Sequence, residues 1–77
     1  MPRLVPVDWK TLECVFLRAG FQFENQEGSH RVYRRKGTPR AVVIPAYRKI
    51  PGFIIQNNLK NAGITREDYF RLLAECR

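Results

Sequence analysis

Between Asp8 and Gly20 the apolar positions fall three or four residues apart at Trp9, Leu12, Phe16 and Ala19. That spacing predicts one amphipathic helix, opened by Asp8 as N-cap and stopped by a glycine that can adopt the left-handed conformation. The period then changes to two. Phe21 and Phe23 alternate with Gln22 and Glu24, a short strand running into a turn at Gly28–Ser29. HRVYRRK is the return strand of this hairpin, with His30, Val32 and Arg34 on one face and Arg31, Tyr33 and Arg35 on the other. Val32 and Tyr33 both qualify as core residues, so the pattern leaves the buried face open. GTPR reads as the next turn, and AVVIP as a third strand whose unbroken apolar character suits a central or well-covered position.

AYRKIPG is a polar, basic loop. After it, Ile55, Leu59 and Ala62 recur at helical spacing until Gly63, and Thr65 with Asp68 three residues later forms a capping box that opens a last short helix carrying Tyr69, Phe70, Leu73 and Cys76. The predicted order is α-β-β-β-α-α, an α+β fold in which helices pack a small three-stranded antiparallel sheet. A chain of 77 residues with no repeat or linker has material for one small core, so residues 1–77 are expected to form a single domain.

Cys14 and Cys76 lie near opposite ends of the chain without metal-ligand spacing, and both are expected to be reduced, semi-buried thiols. No apolar run approaches the roughly 20 residues that cross a bilayer, and the opening MPRLVPVDW lacks the apolar stretch of a signal peptide. No membrane association is expected, and the expected compartment is the cytoplasm.

Charge adds a partner class. Fourteen basic residues face seven acidic ones, a net +7, and no acid occurs between Glu27 and Glu67. That interval holds Arg31, Arg34, Arg35, Lys36, Arg40, Arg48, Lys49, Lys60 and Arg66. A region of one sign attracts polyanions, which points to nucleic acid.

The only histidine, His30, sits inside that interval at the exposed end of a strand. An isolated histidine is by default structural. This one follows a glycine turn and is flanked by arginines, which suits RNA cleavage without a metal: imidazole takes the proton of a ribose 2′-hydroxyl or gives one to the leaving 5′-oxygen, while guanidinium groups hold phosphate. No metal-ligand cluster and no Ser-His-Asp or Cys-His arrangement competes, and no acid is expected beside the ring. Ser29 reads as a turn residue able to donate to phosphate. Arg31, Arg34 and Lys36 are the expected phosphate cations, joined by Lys49. The second proton-transfer group is open among Tyr33, Tyr47, Lys36 and Lys49, with Tyr47 preferred, although packing or base stacking is the default role of both tyrosines.

MPRLVPV, LRAGF, QEGSHRVYR, VVIP and LKNAGITREDYFRLL together resemble, nearly end to end, the HicA toxins, mRNA interferases of bacterial type II toxin–antitoxin modules. The resemblance implies a double-stranded-RNA-binding-domain-like fold, α-β-β-β-α with an extra short C-terminal helix. It also implies endoribonuclease activity on mRNA with His30 as the catalytic residue within Gly28-Ser29-His30, inhibition of translation, no cofactor, and a HicB-like antitoxin that covers the active surface. Two positions depart from the family: where many members carry further histidines, this chain has Arg31 and Tyr47. A different class of reading is a non-catalytic nucleic-acid-binding module, in which IIQNNLKNAGITREDYF is a DNA-binding helix-turn-helix. A third is a protein-binding domain whose basic face meets an acidic partner.

Overall fold

A computed structural model of the chain describes residues 3–76; Met1 and Pro2 of the MPRLVPV stretch, and Arg77, lie outside the described residues. The elements are α1 (Trp9–Arg18), β1 (Gln22–Glu27), β2 (His30–Arg34), β3 (Val42–Pro45), α2 (Gly52–Ala62) and α3 (Arg66–Glu75). The three strands form one antiparallel sheet in the order β1-β2-β3. This is the α+β, double-stranded-RNA-binding-domain-like arrangement, with a third helix after it.

Local chemistry sets the element ends. The Asp8 carboxylate accepts from the Lys10 N–H at 2.9 Å, and Thr65 Oγ1 accepts from the Asp68 N–H at 3.1 Å, so each helix has one of its orphan donors satisfied. Gly63 ends α2 in the left-handed region at φ 71°.

Leu12, Val15 and Phe16 of α1, Ile55, Leu59 and Ala62 of α2, and Tyr69, Leu72 and Leu73 of α3 meet Tyr33, Val42 and Ile44 of the sheet in one buried cluster. Tyr33 therefore settles which face of β2 is buried: the Arg31–Tyr33–Arg35 face turns toward the helices. The opposite face, with His30, Val32, Arg34 and Val43, carries no helix. β3 is an edge strand, not a central one. Its apolar run is explained by cover on one face, where Val42 and Ile44 are buried while Val43 is 43% exposed.

β1 is longer than its apolar alternation suggested and is irregular. Phe23 pairs with Tyr33 and Asn25 with Val32, leaving Glu24 as a bulge residue. The two-residue turn fixes Glu27 opposite His30, while Phe23 must share the face of Tyr33. The two demands differ by one residue, and the bulge absorbs it.

The expectation of reduced thiols is corrected: Cys14 and Cys76 form a disulfide, with Cα atoms 5.9 Å apart. Their separation of 62 residues concealed the pairing. Packing of α1 against α3 brings the middle of the first helix beside the end of the last. No helix among the described residues is long and apolar enough to cross a membrane.

Candidate active site

The hairpin that presents His30 turns through only Gly28 and Ser29. Positive φ is confined to Gly28, at 57°, as a type II′ turn requires at its first central position. A Cβ built there would have no atom within 4 Å, so the demand for glycine is one of backbone conformation rather than space. Gln26 Nε2 donates to the Gly28 carbonyl at 2.8 Å, and the Ala46 N–H donates to the Ser29 carbonyl at 2.6 Å, which ties the turn to the end of β3.

His30 is the first residue of β2 and is exposed. Its register partners are Glu27 on β1 and Pro45 on β3. Directly opposed residues of an antiparallel pair have Cα atoms roughly 4.5–5.5 Å apart and share a face. The reading that no acid lies beside the ring is thus corrected: Glu27 is its cross-strand neighbour. The tight turn in EGSH was the signal for this, because a two-residue hairpin makes its flanking residues partners.

Tyr47 is brought to the same end of the sheet. Its N–H donates to the Pro45 carbonyl at 2.8 Å and its carbonyl accepts from the Trp9 N–H at 3.0 Å, leaving the ring 46% exposed. Arg48 and Lys49 follow it and are exposed. Arg34 shares the face of His30 but lies four residues along the strand, about 13 Å away at strand rise. It pairs with Glu24 at 2.7 Å in an exposed ion pair. Lys36, in the turn beyond, is exposed and farther still. The register therefore brings Ser29, His30 and the start of the loop at Tyr47 to one end of the sheet, with Lys49 two residues farther along the loop and Arg34 and Lys36 toward the other end of β2.

The Arg31 guanidinium is engaged by protein groups. Its side chain points to the helix-facing side, where the guanidinium lies 4.6 Å from the centre of the Trp9 ring and 4.3 Å from that of Phe23. It donates to Glu13 Oε2 at 2.9 Å, to Gln26 Oε1 at 2.7 Å and to the Tyr33 hydroxyl at 3.0 Å. Tyr33 in turn donates to Glu13. Burial first, then the bond to Glu13, pushes the Tyr33 phenol up to about 12. This rules Tyr33 out of the set of exposed proton donors. Glu13 was legible as unusual, one helical turn after Trp9 on the stripe that meets the sheet. Arg35 is also structural: it donates to the Ala19 and Ala62 carbonyls at 3.0 and 2.9 Å and lies 4.6 Å from the Phe21 ring. Among the described residues, no group of three or more His, Cys, Asp or Glu side chains is arranged to hold a metal.

A sequence model of the family described as HicA toxin of bacterial toxin-antitoxin matches residues 9–64, nearly three-quarters of the chain. The chain belongs to the HicA toxin family. It is thus the toxin of a toxin–antitoxin system, and a cognate antitoxin is its partner. No curated protein matches it in sequence. The match to the HicA family spans the hairpin and the loop, so every residue gathered around His30 lies within the matched region.

Proposed function

We propose that this HicA-family toxin is a metal-independent endoribonuclease that cuts mRNA, blocks translation and is neutralised by a HicB-like antitoxin seated over the His30 end of the sheet. The observation that supports this reading is the exposure of the one imidazole at a hairpin tip, on the sheet face without helices, beside a loop carrying Tyr47, Arg48 and Lys49.

His30 accepts the proton of a ribose 2′-hydroxyl. The 2′-oxygen then bonds to the adjacent phosphorus, and the bond from phosphorus to the 5′-oxygen breaks. The departing oxygen takes up a proton, leaving a cyclic phosphate and a 5′-hydroxyl. Tyr47, across the β3 end, is the candidate donor of that proton, while Glu27, a carboxylate across the strand pair, steadies the imidazolium that forms on His30. Lys49 and Arg48 offset the charge that builds on phosphorus, and Ser29 donates to a phosphate oxygen. Arg34, released from Glu24, and Lys36 engage phosphates farther along the strand. Duplex-DNA reading by α3 has less support, because its apolar side is used against the core through Tyr69, Leu72 and Leu73 and its first turn carries Glu67 and Asp68.

Purified protein incubated with RNA and EDTA tests the reading. His30→Ala is expected to slow cleavage by roughly 100-fold or more while keeping RNA affinity within a few-fold, because cations supply the affinity. Cleavage by that variant at the wild-type rate would sink the assignment. A Tyr47→Phe variant with lowered kcat and unchanged KM assigns the second transfer to Tyr47. Unchanged kcat in that variant removes Tyr47 from the reading.

A further inference from the structure

A cleft of about 290 Å³ lies away from the sheet, lined by Arg3, Leu4, Gly52, Phe53, Gln56 and Arg66. Its floor is a close backbone approach: a Cβ at Gly52 would collide with the Leu4 carbonyl oxygen, so glycine alone lets the N-terminal segment lie against the start of α2. Phe53, at the rim, is 67% exposed, more than any other large apolar residue described. No acid lines the cleft. Among the described residues, neither Arg3 nor Arg66 has an ion-pair partner.

A solvent-facing aromatic ring in one cleft with two guanidinium groups that have no ion-pair partner among the described residues is the combination that holds unpaired nucleic acid: the ring stacks a base and the cations take the neighbouring phosphates. The cleft is also connected to the His30 end. Pro45, partner of His30, and Gly52 bound the segment that carries Tyr47, Arg48 and Lys49, and seven residues reach at most about 25 Å. Along it runs the N-terminal segment, held by the Val7–Ile50 bridge and the Trp9–Tyr47 bond. The segment that joins the His30 end to the cleft thus carries Tyr47, Arg48 and Lys49 and no acid of its own, while Asp8 lies on the N-terminal segment beside it and Glu27 opposite His30.

Building on the ribonuclease reading, we infer that the cleft is a docking subsite for single-stranded RNA, holding one unpaired base and its phosphates a few nucleotides from the bond cut at His30. It supplies affinity and strand selection rather than chemistry, and it favours unpaired over duplex RNA because a paired base offers no free face to Phe53.

The test uses the His30→Ala protein, which holds RNA uncut, and a single-stranded RNA of roughly 12 nucleotides, within the usual footprint for such sites. Phe53→Ala is expected to weaken binding roughly 5- to 100-fold, the worth of one stacked base, and Phe53→Tyr to restore it. Arg66→Gln is expected to weaken binding and lower its salt dependence. A hairpin duplex of equal length is expected to be indifferent to Phe53→Ala. Thermal melting of each variant excludes unfolding as the cause. If folded Phe53→Ala binds the single strand within twofold of its parent, the subsite is wrong although the ribonuclease reading stands. If the parent binds no RNA, both fall. Loss of antitoxin binding with RNA binding intact also overturns the inference and assigns the cleft to the protein partner.

Discussion

Opening the Cys14–Cys76 bridge, by excess thiol or by a double Cys14→Ser, Cys76→Ser substitution, releases a loop of 62 residues in the unfolded chain. The entropy recovered by the unfolded state is about 14 cal/mol/K for a loop of that length, or roughly 4 kcal/mol at 25 °C. A chain of this size is expected to have about 4–12 kcal/mol of total stability, so the bridge accounts for a third or more of it. The native contacts change little, because Leu12 and Val15 of α1 and Leu72 and Leu73 of α3 stay buried in the same core. The expected result is a fold that persists when reduced but melts roughly 20–30 °C lower. Urea unfolding followed by far-UV circular dichroism, in matched oxidised and reduced samples, measures the difference. Free energies rather than midpoints must be compared, since the cross-link also compacts the unfolded state and lowers the denaturant slope. Alkylation without reductant should label neither cysteine. Labelling of both, or oxidised and reduced stabilities within about 1 kcal/mol of each other, would refute the reasoning. In a reducing compartment the toxin would work with this staple open and near its stability threshold.

Two further outcomes concern the network beneath the hairpin. Glu13→Ala leaves the Arg31 guanidinium, whose side chain is only 18% exposed, without its carboxylate. It is expected to cost about 2–3 kcal/mol in urea unfolding, and a loss under about 0.5 kcal/mol would show the network to be incidental. Because the Tyr33 phenol is raised to about 12 in the fold from an ordinary value of 10.0, the protonated phenol favours the folded state. That contribution is complete below pH about 10 and lost as pH rises toward about 12, on the order of 3 kcal/mol. Alkaline unfolding of wild type beside Tyr33→Phe checks this: the variant should lack the steep component, and identical alkaline limbs would contradict it.

The residues nearest His30 show how far local rules reach. EGSH specifies a two-residue turn, so the exposed histidine and its carboxylate neighbour are both written in four adjacent positions. The basic loop after Pro45 was legible as a surface segment, and its approach to His30 follows from the β2–β3 register. The contacts that hold Arg31 and Arg35 against the protein are not legible in the sequence, for a physical reason. Arginine has a long apolar stem and a planar head, and alternation cannot distinguish a head in solvent from one laid against aromatic rings.

Local patterns in the chain specify the order of elements, the caps at Asp8 and Thr65, the stops at Gly20 and Gly63, the hairpin turn and the family, because each depends on residues within a few positions of one another or on a run of matched motifs. Long-range packing, by contrast, selects Tyr33 over Val32 for burial, puts β3 at an edge, makes Glu24 bulge, joins Cys14 to Cys76, and brings Arg3, Phe53 and Arg66 into one cleft. Each of those is a choice between local patterns of nearly equal energy. The choice is made by which surfaces the helices cover, and that burial involves partners tens of residues apart.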